Sequence, residues 1–239
     1  VKGYTTKVEG YNVTNTHTPE TTEVSGSKIW DDKDDQDGLR ANIESITIHL
    51  WNGQKPVAEQ TVTGPDWTWN FNDLPKYEDG KLINYTITEE KVSGYDAAIN
   101  GYDVTNTHIP ETVEISGSKT WDDANNQDGK RSSKIMVQLY ADGNASGEPV
   151  ELKESNNWTY TWSELPKMKA GQPIGYTVDE VDESGQSYTP GEYTKKITGD
   201  AEQGFIITNT HVPQTTSISG SKIWDDANNQ DGKRPTKIT

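Results

Sequence analysis

A lysine, a glutamate and an asparagine recur in that order along this chain, each inside its own repeated motif. The first set is Lys28, Glu89 and Asn106; the second is Lys119, Glu180 and Asn209. Strand parity makes them worth attention, because side chains alternate faces and residues two apart point the same way. Lys28 shares a face with Val24, Gly26 and Trp30, as Lys119 does with Ile115, Gly117 and Trp121. Glu89 falls in phase with Tyr85 and Ile87, and Glu180 with Tyr176 and Val178. Asn106 follows Tyr102 and Val104, and Asn209 follows Phe205 and Ile207. Each set therefore aims one Lys, one Glu and one Asn at an apolar interior.

Two chemistries fit such a set. A charged lysine is costly to bury unless it is paired, and a buried Lys–Glu ion pair with an Asn filling the spare hydrogen bonds would meet that need. The other is covalent. Desolvation lowers a lysine's pKa and leaves a neutral, nucleophilic amine, while a buried glutamate is pushed the other way and stays protonated. Such a glutamate could hydrogen-bond the Asn side-chain carbonyl, polarise it and shuttle protons as ammonia leaves. Fixed proximity supplies effective molarities of about 10⁵–10⁸ M, which an unreactive amide needs.

The elements that must hold these residues are set by internal repetition. Ser-Gly-Ser-Lys-x-Trp-Asp-Asp occurs three times, with its lysine at Lys28, Lys119 and Lys222. Thr-Asn-Thr-His also occurs three times, with its asparagine at Asn15, Asn106 and Asn209, always 13 residues before the next such lysine. Between them, Asp66-Trp67-Thr68-Trp69-Asn70-Phe71 matches Asn157-Trp158-Thr159-Tyr160-Thr161-Trp162, and Tyr85-Thr86-Ile87-Thr88-Glu89 matches Tyr176-Thr177-Val178-Asp179-Glu180. The expected organisation is a run of modules. Residues 1–17 give the C-terminal strands of one, 24–108 and 115–211 are complete, and 218–239 open another. Linkers fall at 18–23, 109–114 and 212–217. The prolines in Thr18-Pro19-Glu20 and Ile109-Pro110-Glu111 suggest a semi-rigid string whose modules couple weakly.

Alternation in Ile46-Thr47-Ile48-His49-Leu50-Trp51 and Val137-Gln138-Leu139-Tyr140, with Trp67, Trp69 and Phe71 at spacing two, predicts short strands. No helical periodicity of useful length is present. Several strands per module with turns between them indicate an all-β chain of tandem β-sandwiches.

Composition narrows the function classes. With 38 Asp and Glu against 22 Lys and Arg, the net charge is -16, which argues against nucleic acid and anionic membrane surfaces as partners. The absence of cysteine excludes disulfides, thiolate metal sites and a cysteine nucleophile. No apolar run approaches the ~20 residues of a spanning helix, and the first residues do not read as a signal peptide. Without an initiating Met the chain reads as part of something longer. Val, Ile, Leu and Phe make up 40 of 239 residues, about 17%. That is low enough to raise disorder. However, 29 Thr, 11 Tyr and 8 Trp favour strands and bury large areas each, so the reading is a folded β chain with thin aromatic cores.

The ordered motifs Lys-x-Trp-Asp-Asp, Trp-Thr-x-x-x-x-x-Leu-Pro, Tyr-Thr-x-x-Glu and Thr-Asn-Thr resemble the B-type repeat domain of Gram-positive collagen adhesins, CnaB, over essentially all 239 residues. The resemblance implies an inverted immunoglobulin-like or prealbumin-like sandwich with a spontaneous Lys–Asn isopeptide bond assisted by an acidic residue. Carried over, the bonds would be Lys28–Asn106 with Glu89 and Lys119–Asn209 with Glu180. Glu90 rivals Glu89, but its parity points outward and the second module has Val181 there. Asn15 and Lys222 are partner residues of incomplete modules and lack the rest of their triads. Closing loops of 78 and 90 residues would restrict the unfolded chain by about 4–5 kcal/mol per bond if the disulfide relation transfers.

The function implied is a stalk of a cell-wall-associated adhesin, extracellular on the bacterial surface, partnered by neighbouring repeats and monomeric. A host matrix ligand would be engaged by other regions. The alternatives are a module that itself recognises host matrix or glycan, and a pilin subunit, although no LPxTG-like sorting signal occurs here. A turnover enzyme does not fit, since the reactive set would consume itself, and no cofactor is expected. The Trp-Asp-Asp-x-x-x-Gln-Asp-Gly-x-Arg run, as in Asp122 to Arg131, is out of register with an EF-hand and reads as a structural loop of Asx turns organised by its Arg. His17, His108 and His211 each stand alone after a strand and suggest a module-junction role rather than a metal site. The sequons at Asn84 and Asn157 matter only in a eukaryotic secretory context.

Overall fold

The computed structural model describes residues 1–239 and is built of strands, with two short 3₁₀ turns at Arg40–Asn42 and Glu154–Asn156 and no α-helix. In the first module one sheet runs Asp96–Asn100, Asp103–Thr107, Thr21–Asp31, Thr68–Pro75, and the second runs Lys55–Thr63, Ser45–Asn52, Tyr85–Glu89. In the second module the first sheet is Thr159–Pro166, Thr112–Asp122, Gly204–Thr210, Thr194–Asp200. Its facing sheet centres on Lys134–Ala141, paired with Val150–Lys153 and Tyr176–Val181.

Each pair of sheets closes on a core drawn from both. Val24, Trp69, Phe71 and Val104 from one sheet meet Ile46, Ile48, Leu50 and Ile87 from the other. The second core matches it, with Ile115, Trp162 and Ile207 against Val137, Leu139 and Val178. This is the sandwich solution for strands that are apolar on one face only. Gly26 and Gly117, in the Ser-Gly-Ser-Lys motifs, are required by close approach. A Cβ on Gly26 would lie 1.7 Å from the Tyr102 carbonyl oxygen, and one on Gly117 would lie 2.9 Å from the Trp162 ring.

The first and last strands of each module run parallel and adjacent. Lys28 lies opposite Val104 and Trp30 opposite Asn106; Lys119 lies opposite Ile207 and Trp121 opposite Asn209. Lysine and asparagine thus sit on one face, one pleat apart, at the seam where the module begins and ends.

The terminal pieces behave differently. Thr5–Glu9 and Asn12–Thr16 form a hairpin whose residues are all exposed. Residues 211–224 carry no strand. The expected opening strand around Lys222 does not form, because neither the aromatic strand nor the asparagine strand that would flank it lies beside it.

Candidate functional site

The lysine of each triad comes from the first strand, the glutamate from the facing sheet and the asparagine from the last strand. All three side chains are withdrawn from solvent. Lys28 and Glu89 side chains are 0% and 1% exposed, Lys119 and Glu180 are both 0%, and Asn106 and Asn209 are 0%. Lys28 Nζ donates to Glu89 Oε1 at 2.7 Å, and Lys119 Nζ to Glu180 Oε2 at 3.1 Å. Glu90 is excluded from the site: its side chain is 64% exposed and lies 3.5 Å from His49.

The asparagines depart from expectation. The carbonyl of neither is hydrogen-bonded by the glutamate. In the second module Asn209 Nδ2 donates to both Glu180 oxygens, at 3.3 and 3.0 Å, and its Oδ1 is buried without a partner. In the first module both polar atoms of Asn106, and Glu89 Oε2, are buried without partners. An ionised carboxylate can only accept and so takes the amide N–H, whereas a protonated one could donate to the amide carbonyl of a turned-over Asn. Stranding a buried amide costs about 1–3 kcal/mol per group, so the Asn106 arrangement is not a satisfied structural network.

Desolvation lowers the pKa of both lysines. For Lys28 burial acts downward and Glu89 opposes it. For Lys119 burial prevails over Glu180, with Lys195 adding to the downward push, and the value falls to about 8. A tryptophan two residues on roofs each amine, with Lys28 Nζ 4.7 Å from the Trp30 ring centroid and Lys119 Nζ 4.5 Å from that of Trp121. Trp30 is held edge-on by Trp67 and Tyr95, and Trp121 by Trp158 and Tyr193.

Sequence reasoning missed the brace behind that roof. The Tyr95 hydroxyl donates to Asp32 Oδ2 at 2.7 Å, and the Tyr193 hydroxyl to Asp123 Oδ2 at 2.9 Å. Arg131 grips Asp123 through Nε and Nη2, at 3.0 and 2.6 Å, and Arg40 Nε lies 2.8 Å from Asp32. Arg131 holds the Asp123 carboxyl far below the usual range, while burial and that carboxylate push the Tyr193 hydroxyl up to about 12. The Asp-rich loop is thus organised by Asx turns and an arginine, with Asp32 Oδ1 and Asp123 Oδ1 accepting the amides of Asp35 and Asn126. The signal for the tyrosine was Gly3-Tyr4 and Gly94-Tyr95, each 11 residues before its asparagine when counted from the tyrosine.

The histidines stand at the ends of the last strands. His108 contacts the Gly94 carbonyl and Asp37 Oδ2, both at 3.0 Å, and His211 contacts the Glu192 carbonyl at 3.3 Å and Asp128 Oδ2 at 3.1 Å. His17 keeps only a carbonyl, that of Gly3, at 2.9 Å. Asn15 is exposed and accepts from Thr6 Oγ1 at 2.6 Å, while Lys222 is exposed with Nζ 4.7 Å from the Trp224 ring; neither is brought to a glutamate.

Comparison with known proteins supplies the context. The family model described as the Cna protein B-type domain matches residues 24–107, 115–210 and 218–239. The chain is 46% identical over 244 residues to a collagen adhesin of Staphylococcus aureus, a match covering 100% of this chain and 20% of that protein, so it spans about a fifth of that relative's length. Among solved structures it is similar to two B repeat units of the collagen binding protein of Staphylococcus aureus. The identity is 42%, with 88% of this chain and 56% of that chain covered and a TM-score of 0.43. It is also similar to the full-length major pilin RrgB of Streptococcus pneumoniae at 12% identity, covering 82% and 49% of the two chains with a TM-score of 0.25.

Proposed function

This chain belongs to the Cna B-type domain family of Gram-positive surface proteins, structural domains rather than enzymes, and we propose that it is a stalk segment of a cell-surface adhesin whose two complete modules each lock themselves with a Lys–Asn isopeptide bond. The observation that carries the reading is the buried Asn amide, stranded or held only by the glutamate, beside a desolvated lysine on the neighbouring parallel strand.

The three buried side chains of each module would supply the steps, with the Asn amide turned over so that its Oδ1 faces the glutamate. Proton transfer along the Lys28–Glu89 hydrogen bond would give a neutral acid and a neutral amine, the latter favoured by the desolvation of Lys28. The acid donates to Asn106 Oδ1 as the amine attacks Cγ, so the new C–N bond forms while the carbonyl negative charge is neutralised. Collapse of this tetrahedral centre breaks the bond from Cγ to Nδ2. The proton lost by the lysine nitrogen passes through the glutamate to the leaving nitrogen, which departs as ammonia, and the Oδ1 proton returns to the glutamate as the carbonyl re-forms. The balance is one amine and one primary amide giving one secondary amide and one ammonia. Lys119, Glu180 and Asn209 repeat it. The reaction joins the first strand to the last, the two places where tension on a stalk enters and leaves a module.

An accurate intact mass tests this. The purified chain should weigh two ammonias less than its sequence, and Glu89→Ala or Glu180→Ala should each restore one while leaving a folded module. An unmodified mass in well-folded protein would leave the buried ion pair as the role of these residues.

A further inference from the structure

The expectation of weakly coupled modules meets a contact at the junction. Gly171 N donates to the Gln36 carbonyl at 3.1 Å, linking the Met168–Lys169/Gln172–Pro173 hairpin of the second module to the Asp-rich loop of the first. The approach is backbone on backbone. A Cβ on Gly38 would lie 2.5 Å from Gly171 Cα, and one on Gly171 would lie 3.1 Å from Gly38 Cα. Both glycines have positive φ, +72° and +74°, so no side chain fits either position without strain.

Glu111, in the linker, is tied to both sides. Its amide donates to Asp37 Oδ2, the same oxygen that His108 Nε2 contacts, each at 3.0 Å. Its own carbonyl accepts the Lys167 amide at 3.0 Å, and its carboxylate pairs with Lys167 Nζ.

The same parts occur as separate halves at the two ends. Glu20 accepts the Lys76 amide at 3.1 Å and pairs with Lys76 Nζ at 2.7 Å, the forward half alone. The Gln214 amide donates to Asp128 Oδ2 at 3.0 Å beside His211, the backward half alone. Gly80 and Gly129, the counterparts of Gly171 and Gly38, also have positive φ, +73° and +65°, and open space where a Cβ would go.

We propose that the Gln-Asp-Gly turn of each module is a socket for the glycine hairpin turn of the next, so that every junction of the stalk is the same directional joint. The Gly80 turn would receive the Asp-rich loop of the preceding repeat, and the Gln127–Gly129 turn the hairpin of the following one. The occupant is an adjacent repeat of the same polypeptide, because the joined pair at Gly38 and Gly171 displays the complement of each open half and the tethered linker supplies a high local concentration.

Residual dipolar couplings on the full chain test the joint. The unaltered chain should fit one alignment tensor across residues 24–211, and Gly171→Val should split it in two while each module keeps its own melting transition. Gly80→Val should leave the shared tensor intact here. In a chain lengthened by a second copy of residues 24–114 placed ahead of the first module, the same change in the downstream copy should uncouple the new junction. His108→Ala, which removes one of the two partners of Asp37 Oδ2 without touching the second module, provides an independent break should Gly171→Val unfold its hairpin. A shared tensor surviving both Gly171→Val and His108→Ala, or a silent Gly80→Val in the lengthened chain, would overturn the joint.

Discussion

In the first module Lys28 reaches Glu89 at 2.7 Å and Asn106 is hydrogen-bonded to neither; in the second, Lys119 stands at 3.1 Å and Glu180 is shared between the lysine and Asn209. The neighbouring strand differs as well. Opposite Asn209 stands Lys195, whose Nζ bonds Asp179 Oδ1, the Glu180 carbonyl at 3.0 Å, Ser187 Oγ at 3.2 Å and the Tyr188 carbonyl at 3.0 Å. Opposite Asn106 stands Ala97. The second module thus carries an extra cation that fixes the glutamate strand and helps depress Lys119. The comparison teaches that the three reacting residues are a shared unit and that their electrostatic tuning is local to each module.

The largest break in that comparison is removal of one nucleophile. Lys119→Ala should cost the second module the cross-link, about 4–5 kcal/mol by the loop-closure relation. That corresponds to a melting temperature lower by about 20–30 °C for a domain of this size. Trypsin resistance of residues 115–211 should fall with it, and the first module should move only by what the joint transmits. Calorimetry resolving two transitions decides this; equal losses in both modules would mean that they unfold as one unit.

Lys195 sharpens the comparison at the level of rate. Replacing it by methionine keeps the stem and removes the charge, so Lys119 should titrate higher and hold less free amine. Ammonia loss from the second module, followed by mass during cell-free synthesis, should slow. Ala97→Lys in the first module should act in the opposite direction. Unchanged kinetics in both variants would confine Lys195 to bracing the loop.

Much of this was legible in the sequence. Parity alone placed Lys28, Glu89 and Asn106 inward and Glu90 outward, because a half-buried strand lets only one phase face the core. It could not reveal that Tyr95 and Asp32 brace the tryptophan roof, since those residues are separated by 63 positions and meet only through the fold. Nor could it show the junction. The linker prolines read as a semi-rigid string of weakly coupled modules, whereas Gly38 and Gly171, outside the linkers, let two backbones touch. The unpartnered Asn106 amide was equally hidden, because hydrogen-bond satisfaction depends on where the facing sheet delivers Glu89.

A smaller effect separates the bonded from the unbonded lysine by pH. In Asn209→Ala the Lys119 amine remains free, with a folded pKa of about 8 against about 10.4 in the unfolded chain. Below about pH 8 both states bind the proton; between the two values only the unfolded chain holds it. The stability of the second module should therefore rise with pH across that window. In the unaltered chain the amine is consumed in an amide and no such rise should occur. Denaturant midpoints at pH 8 and 10 compare the two, and a matching rise in the unaltered chain would mean that Lys119 is still an amine.

The smallest expected effect is none, and it concerns the two ends. Asn15 and Lys222 belong to the same repeated motifs as the reacting residues, yet each is exposed and neither has a glutamate beside it. Neither end is desolvated, and an exposed amide has its carbonyl solvated rather than polarised by a buried acid. Sequence identity at the reacting position should therefore be inert without burial. The exposed hairpin Thr5–Glu9/Asn12–Thr16 leaves edges free for pairing with another copy, so contact between ends is available at high concentration. Contact without desolvation should still give no bond. Concentrated protein, boiled in denaturant and run beside a dilute sample, should contain no covalent dimer. A boil-resistant dimer whose digest contained an Asn15–Lys222 link would show that two end strands can assemble a reactive pocket without the glutamate, and the contrast between buried triads and exposed ends would then lose its chemical basis.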